Sequence, residues 1–215
     1  MANTARLLTV SPLLRLEPKL PALPVPALKV LLAKGLVRGS MAEISGRRSS
    51  GRTSLALHVL AQGTARGEVC AVVDLDDSFD PASAVQAGVR LDRLVWVRCR
   101  GNAEHSMRTA DLLLHAGGFG IVLLDLCDAS AKVLNRIPFS YWYRFRRAIE
   151  HTPTILVVCA ETSVGKCPTS SVQVRRKQVR WSGTAPFLLL EGMEVDAALK
   201  ASAMAPETIS IRTAA

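Results

Sequence analysis

The stretch Met41 to Ser54, Met-Ala-Glu-Ile-Ser-Gly-Arg-Arg-Ser-Ser-Gly-Arg-Thr-Ser, constrains what this chain can fold into more than any other. Met41 to Ser45 is short and apolar enough for a buried strand. Gly46 to Gly51 is a loop whose glycines let the backbone turn tightly. From there Leu55, Ala56, Val59 and Leu60 recur at helical spacing. Strand, glycine loop and helix is the context in which a phosphate-binding loop is credible. Gly46-x4-Gly51-Arg52-Thr53 meets G-x4-G-K-[ST] at every required position but one, and Arg52 stands where the lysine belongs. In such a loop the amides at a helix N-terminus face phosphate oxygens. The candidate nucleotide site is therefore Gly46, Arg47, Arg48, Ser49, Ser50, Gly51, Arg52, Thr53 and Ser54, with the Thr53 hydroxyl as a magnesium ligand. The other reading is a tight strand-to-helix connection without a ligand. Arginine is planar and forked where lysine is a compact charge on a flexible stem. Arg52 suits an anion and suits efficient hydrolysis poorly.

Strand-like and helical patterns alternate along the chain. Strands are expected at Val69 to Val73, Leu94 to Arg98, Ile121 to Leu126 and Thr154 to Ala160. Helices are expected at Leu28 to Leu36, Leu55 to Arg66, Pro81 to Ala87, Asn102 to His115 and Ser140 to His151, with Asp80 capping the third of these. Alternation of this kind predicts an α/β fold, a parallel sheet with helices on both faces. Residues 172–191 alternate with few helix signals and predict an antiparallel extension. A helical segment is expected within Glu191 to Ala203 and a short strand at Ile209 to Arg212. Residues 1–27 hold Pro12, Pro18, Pro21, Pro24 and Pro26. They read as an extended arm, with a short helix near Arg6 to Leu16, ahead of a single core domain at 28–215.

Ligands of parallel sheets bind beyond the carboxyl ends of the strands. The glycine loop, Asp74 to Asp77, Asp125 and Glu161 all fall there. Asp125 follows the apolar run Ile121 to Leu124. A carboxylate in that position is costly unless something satisfies it. It resembles a Walker B aspartate holding magnesium opposite Thr53, or else caps a helix or partners an arginine. Asp76 is the candidate for orienting a hydrolytic water, with Asp74 and Asp77 as competitors.

Residues 39–81 resemble the core of the RecA recombinases. The cues are the strand Met41 to Ser45, then Gly46-x-x-Ser49-Ser50-Gly51-x-Thr53-x-Leu55-Ala56-Leu57-His58, then Val73-Asp74-Leu75-Asp76-Asp77-Ser78-Phe79-Asp80-Pro81. The resemblance continues more weakly through Asp125 to Ala160. It implies a RecA-type sheet with ATP and Mg2+ as cofactors, and it places Asp76 at the catalytic glutamate, Arg52 at the lysine and Asp125 at the Walker B aspartate. The family's glutamine after the last of these strands is replaced by Ala160-Glu161-Thr162. The segments after Asp125 and after Glu161 are short for RecA DNA-binding loops, and neither the long N-terminal oligomerisation helix nor the C-terminal domain is evident. This shortened, degenerate pattern is similar to the ImuA group, accessory proteins of mutagenic translesion synthesis that partner the polymerase-like ImuB. The implied role is in DNA repair and the SOS response, with an ImuB-type polymerase homologue and single-stranded DNA as partners. Two other readings stay open: an active DNA-dependent ATPase of the family, and a SulA-like division inhibitor that binds protein and no nucleotide.

Lys plus Arg exceed Asp plus Glu by 27 − 18 = 9, which suits an anionic partner. Arg144 and Arg147 share a face of the aromatic segment Ser140 to His151, while Trp142, Phe145 and Ile149 share the other. Arg175, Arg176, Lys177 and Arg180, with Lys166 ahead of them, form a second basic cluster. Both clusters are candidate DNA contacts, against the readings of a solvated helix face and a charged sheet edge. The five cysteines form no C-x-x-C pair, so a disulfide framework or zinc site is not expected. No apolar run reaches the roughly 18 residues of a membrane helix, and no signal peptide is evident. The expected compartment is the cytoplasm. The five prolines of the arm would break a long docking helix, so no long self-filament is expected.

Overall fold

The structure is a computed structural model and describes residues 20–164, 168–200 and 205–212. Four β/α units and a fifth strand come first. Strand β1 (Met41–Ser45) leads through the glycine loop into α1 (Arg52–Ala65). Then follow β2 (Cys70–Asp74), α2 (Pro81–Gln86), β3 (Leu94–Arg98), α3 (Ala103–Ala116), β4 (Ile121–Leu126), α4 (Ala131–Leu134), α5 (Phe139–Ile149) and β5 (Ile155–Ala160). Three long strands complete the sheet: β6 (Ser170–Ser182), β7 (Leu189–Leu199) and β8 (Glu207–Arg212). The order across the sheet is β3-β2-β4-β5-β1-β6-β7-β8. Pairing is parallel from β3 to β6 and antiparallel for β6–β7 and β7–β8. This is the expected α/β fold of RecA type with an antiparallel extension.

Every residue of β1, β2, β4 and β5 is buried. Strands buried on both faces need helices above and below. One face carries α1, packed with Leu123, Val157, Val172 and Val195. The other carries α3 and α5, packed with Val73, Leu124 and Val158. Helix α5 buries Trp142, Phe145 and Ile149, one apolar stripe at helical spacing. Helix α1 is buried nearly all round, because β7 and β8 add Val195 and Ile209 to the same core as the sheet.

Several sequence expectations change. Leu28 to Leu36 is not an α-helix. Pro26–Leu28 forms one 3-10 turn, and Leu36 pairs with Leu23 through two 2.8 Å backbone hydrogen bonds. Leu23 and Val25 are core residues, so packing begins ahead of residue 28. The helix expected within Glu191 to Ala203 is strand β7. Its Ala-Ala-Leu favours a helix in isolation, but Val195 and Ala197 are buried at a period of two between β6 and β8. Helix α4 was not anticipated: it is four residues long, too short to show a period. The expected helix at Arg6 to Leu16 lies outside the described residues. Among the described residues no helix is long and apolar enough to cross a membrane.

Candidate functional site

The carboxyl ends of the strands bring the site together. Asp74, Asp125, Cys159 and Ile44 lie in register on β2, β4, β5 and β1. The glycine loop closes over this row. Ser49 and Gly51 both have positive φ, 57° and 90°, and α1 starts at Arg52 directly after Gly51. Only glycine takes that backbone without strain at Gly51. A Cβ there would also stand 2.9 Å from Ile211 Cδ1 and from Val195 Cγ1, so β7 and β8 roof the loop.

Arg52 is buried. Its guanidinium donates to the Gly46 carbonyl, across the loop, and to the Cys127 carbonyl at 2.7 Å. The Asp128 carboxylate lies 3.8 Å away and also accepts from Arg48 Nε at 3.2 Å. The cation that stands in the lysine position is thus tied to the protein's own oxygens. Arg47, Ser49 and Thr53 are exposed, and the Ser54 carbonyl meets His58 Nδ1 at 3.0 Å. The Ser50 hydroxyl is buried without a hydrogen-bond partner.

Asp125 is buried, and its Oδ1 accepts from the Cys127 amide at 2.9 Å. Burial raises its pKa above the ordinary carboxylate value, and hydrogen bonds from Cys127 only partly offset this. Cys127 Sγ lies 3.1 Å from Cys159 Sγ. The Cys127 hydrogen bond, and then burial, push the Cys159 thiol well above its ordinary value. Asp125, Cys127 and Cys159 hold donor atoms within 4.8 Å of one another. The raised Cys159 thiol and the adjacent Arg52 make this group a poor cation site. The thiol pair was not legible in the sequence, since the two cysteines are 32 residues apart.

The three acidic competitors separate cleanly. Asp74 is fully buried and accepts from Ser78 N and Phe79 N at 3.0 Å and from Trp96 Nε1 at 3.1 Å. It holds the β2–α2 loop, away from the solvent in which a hydrolytic water would sit. Asp77 pairs with Arg98 at 2.9 Å. Asp76 is exposed, and its pKa is raised by partial burial and then by Asp128, Asp74 and Asp77. Of the three it alone points into solvent at the mouth of the site.

The residues fit ATP and Mg2+ only in part. The orphaned Ser50 hydroxyl and the N-terminus of α1 suit a phosphate. Arg52, bonded to two carbonyls, is turned away from one, while Asp125 accepts from Cys127 through Oδ1.

The basic clusters are smaller than the sequence suggests. Arg180 is bonded to Glu194, Lys177 lies 3.8 Å from Asp196, and Arg144 is bonded to Asp111. Arg147, Arg175 and Arg176 are exposed and have no ion pair among the described residues. Lys166 lies outside the described residues. Trp142 and Phe145 are core, as a cover helix requires, whereas Tyr143 is 56% exposed. A buried carboxylate that sequence reasoning missed is Glu43 on β1. It accepts from Ser163 Oγ, Val164 N and Ser171 Oγ at 2.6–2.9 Å and so fixes the turn after β5. Two clefts, of ≈ 630 and ≈ 480 Å³, lie on either side of the α4–α5 connection rather than at the glycine loop.

A mostly parallel sheet with a glycine loop after β1 and acidic residues at the ends of β2 and β4 defines an α/β protein of RecA type. The family model of the RecA N-terminal domain matches residues 25–134, slightly more than half of the chain. The chain belongs to the RecA family. It is similar to Protein RecA of Rhodospirillum rubrum, 42% identical over 91 residues, which is 42% of this chain and 25% of the relative. Over the same length it is 40% identical to Protein RecA of Bifidobacterium breve and 35% identical to that of Rickettsia massiliae, covering 23% and 26% of those proteins. The match therefore spans about a quarter of the length of these relatives.

Proposed function

We propose that this chain is a non-recombinase member of the RecA family, an ImuA-like accessory protein of SOS damage-tolerance synthesis with a degenerate nucleotide site. It acts through a protein partner, an ImuB-type polymerase homologue, and through single-stranded DNA. The observation that carries this reading is the buried Arg52 guanidinium, donating to Gly46 and Cys127 inside the loop. Phosphoryl transfer depends on positioned charge at the phosphates and on an oriented nucleophile. Arg52 is turned onto the protein. Asp76 is one methylene shorter than the glutamate that the resemblance places there. The loop then serves as a structural connection, and nucleotide enters only by displacing Arg52. Long filaments of this chain alone are not expected, and its net charge opposes self-association without a screening partner.

The test is binding of a fluorescent ATP analogue with Mg2+, run alongside phosphate release with single-stranded DNA. Arg52→Lys is expected to bind at least about tenfold tighter than the parent, because an ammonium cannot bridge both carbonyls as the fork does. Robust DNA-stimulated hydrolysis by the parent, abolished by Asp76→Asn, would favour the active ATPase instead. Asp76, solvent-facing with a raised pKa, is what recommends that second reading.

A further inference from the structure

Strands β6 and β7 run on beyond the core. The ladder continues to Trp181↔Leu190 and Ser182↔Leu189, yet after Val174 no residue of β6 is buried. The end of this hairpin exposes large apolar side chains: Trp181 is 57% exposed, Phe187 84%, Leu188 54% and Leu189 66%. Apolar groups clustered at the tip of an ordered arm are not scattered surface residues and mark an interaction site. The charges of the arm are graded. Near the tip Glu191 is exposed. Midway, Arg180 and Lys177 are neutralised by Glu194 and Asp196. At the base, Arg175 and Arg176 are exposed and without an ion pair among the described residues.

We propose that the β6–β7 arm is a two-point docking element for a protein partner that clasps the ribbon, offering an apolar socket around the tip to Trp181, Phe187 and Leu189 and carboxylates to Arg175 and Arg176 on its two faces. Five residue steps lead from Arg176 to Trp181, so the carboxylates stand about 17 Å from the socket. The grading selects against the other occupants. A nucleic acid would meet the exposed Glu191 beside the tip, and Leu188 and Leu189, which flank Phe187, offer no face for base stacking. A second copy would bring another basic chain to Arg175 and Arg176. A protein surface with an apolar socket flanked by carboxylates is complementary at both points. This inference rests on the proposed damage-tolerance role, whose polymerase-like partner supplies the probe.

The experiment measures binding of the purified ImuB-type homologue from the same organism to the full-length chain and to two variants, Trp181→Ala/Phe187→Ala and Arg175→Glu/Arg176→Glu. Exposed positions should tolerate both, and retained circular dichroism checks this. Trp181 reports directly, because Trp142 is buried and Trp96 is held by Asp74. The expected result is a blue shift of Trp181 emission on binding, at least about a tenfold loss of affinity for the tip variant, and a salt-sensitive loss for the base variant. Equal binding by parent and tip variant overturns the arm and leaves the proposed function standing. Absence of binding by the parent overturns both. Two further results also overturn the arm's assignment to this partner. One is a single-stranded oligonucleotide that shields Trp181 and is lost with the tip variant. The other is a self-associated form that the tip variant abolishes.

Discussion

Arg52 and Cys127, 75 residues apart, share a 2.7 Å hydrogen bond from guanidinium to carbonyl. With the bond to Gly46 it fastens the loop after β1 to the end of β4. The residue that departs from the phosphate-loop pattern has become part of the loop's internal framework. Arg52→Ala leaves two buried carbonyls without this donor and a void beside Asp125. An expected loss of about 2–4 kcal/mol follows from the usual cost of unsatisfied buried polar groups. Urea denaturation checks it. Arg52→Lys should lose less stability while gaining nucleotide, so the two properties move in opposite directions.

Gly51 couples the loop to the C-terminal strands. Gly51→Ala meets a positive φ and contacts of 2.9 Å with Ile211 and Val195. The left-handed backbone costs about 1–2 kcal/mol and overpacking about 1–3 kcal/mol. Adding Ile211→Ala should recover part of the overpacking cost and none of the backbone cost. A double-mutant cycle in thermal or urea unfolding separates the two. Strict additivity would show that the roof over the loop does not press on Gly51.

The α/β order, strands β1 to β5 and β8, and the glycine loop were legible because doubly buried strands leave short apolar runs and amphipathic helices a helical period in sequence. The loop's state was not. Gly-Arg-Arg-Ser-Ser-Gly-Arg-Thr announces an anion site, while the acceptor that occupies Arg52 is a backbone carbonyl after Asp125, and carbonyls carry no sequence signature. The same blindness hid Glu43, whose partners lie more than a hundred residues away. Strand β7 was misread because its Ala-Ala-Leu pattern is decided by neighbours on both sides, not by local propensity.

Asp74 should prove structural. Asp74→Ala strands Ser78 N, Phe79 N and Trp96 Nε1 together, and Asp74→Asn still sets an amide donor against Ser78 N even when its carbonyl keeps the other two. A loss of about 3 kcal/mol or more is expected for the alanine variant. Changed Trp96 fluorescence should accompany it, since that indole loses its acceptor and packs at 5.3 Å on Phe79.

The buried Asp125 fixes a sign for pH dependence. Burial raises its pKa above 3.8, so just above that value the folded state binds more protons than the unfolded one. Stability from this group therefore falls as pH rises through the window that starts at its unfolded value. Asp125→Asn keeps an acceptor for Cys127 N and removes the buried charge. The variant is expected to melt higher than the parent at neutral pH, with the difference shrinking toward pH values of about 4. A variant that melts lower at neutral pH would mean that attraction to Arg52 outweighs desolvation.

DNA binding, if electrostatic, must use the arginines that the fold leaves unpaired. Arg147 lies on α5 and Arg175 and Arg176 lie at the base of the arm, on different elements of the structure. Arg144, Arg180 and Lys177 are already engaged by carboxylates. Removing a phosphate-contacting charge lowers the slope of log affinity against log salt by about 1, whereas removing a charge already paired within the protein changes it little. Arg147→Ala is therefore expected to flatten the slope and Arg144→Ala to leave it nearly unchanged. Fluorescence anisotropy of a labelled single-stranded oligonucleotide across a salt series gives both slopes. If Arg175→Ala/Arg176→Ala flattens the slope and Arg147→Ala does not, the nucleic acid runs along the sheet extension and competes with the docking arm for the same two arginines. If Arg147→Ala alone flattens it, the two surfaces are separate, and DNA and protein partner can be held at once.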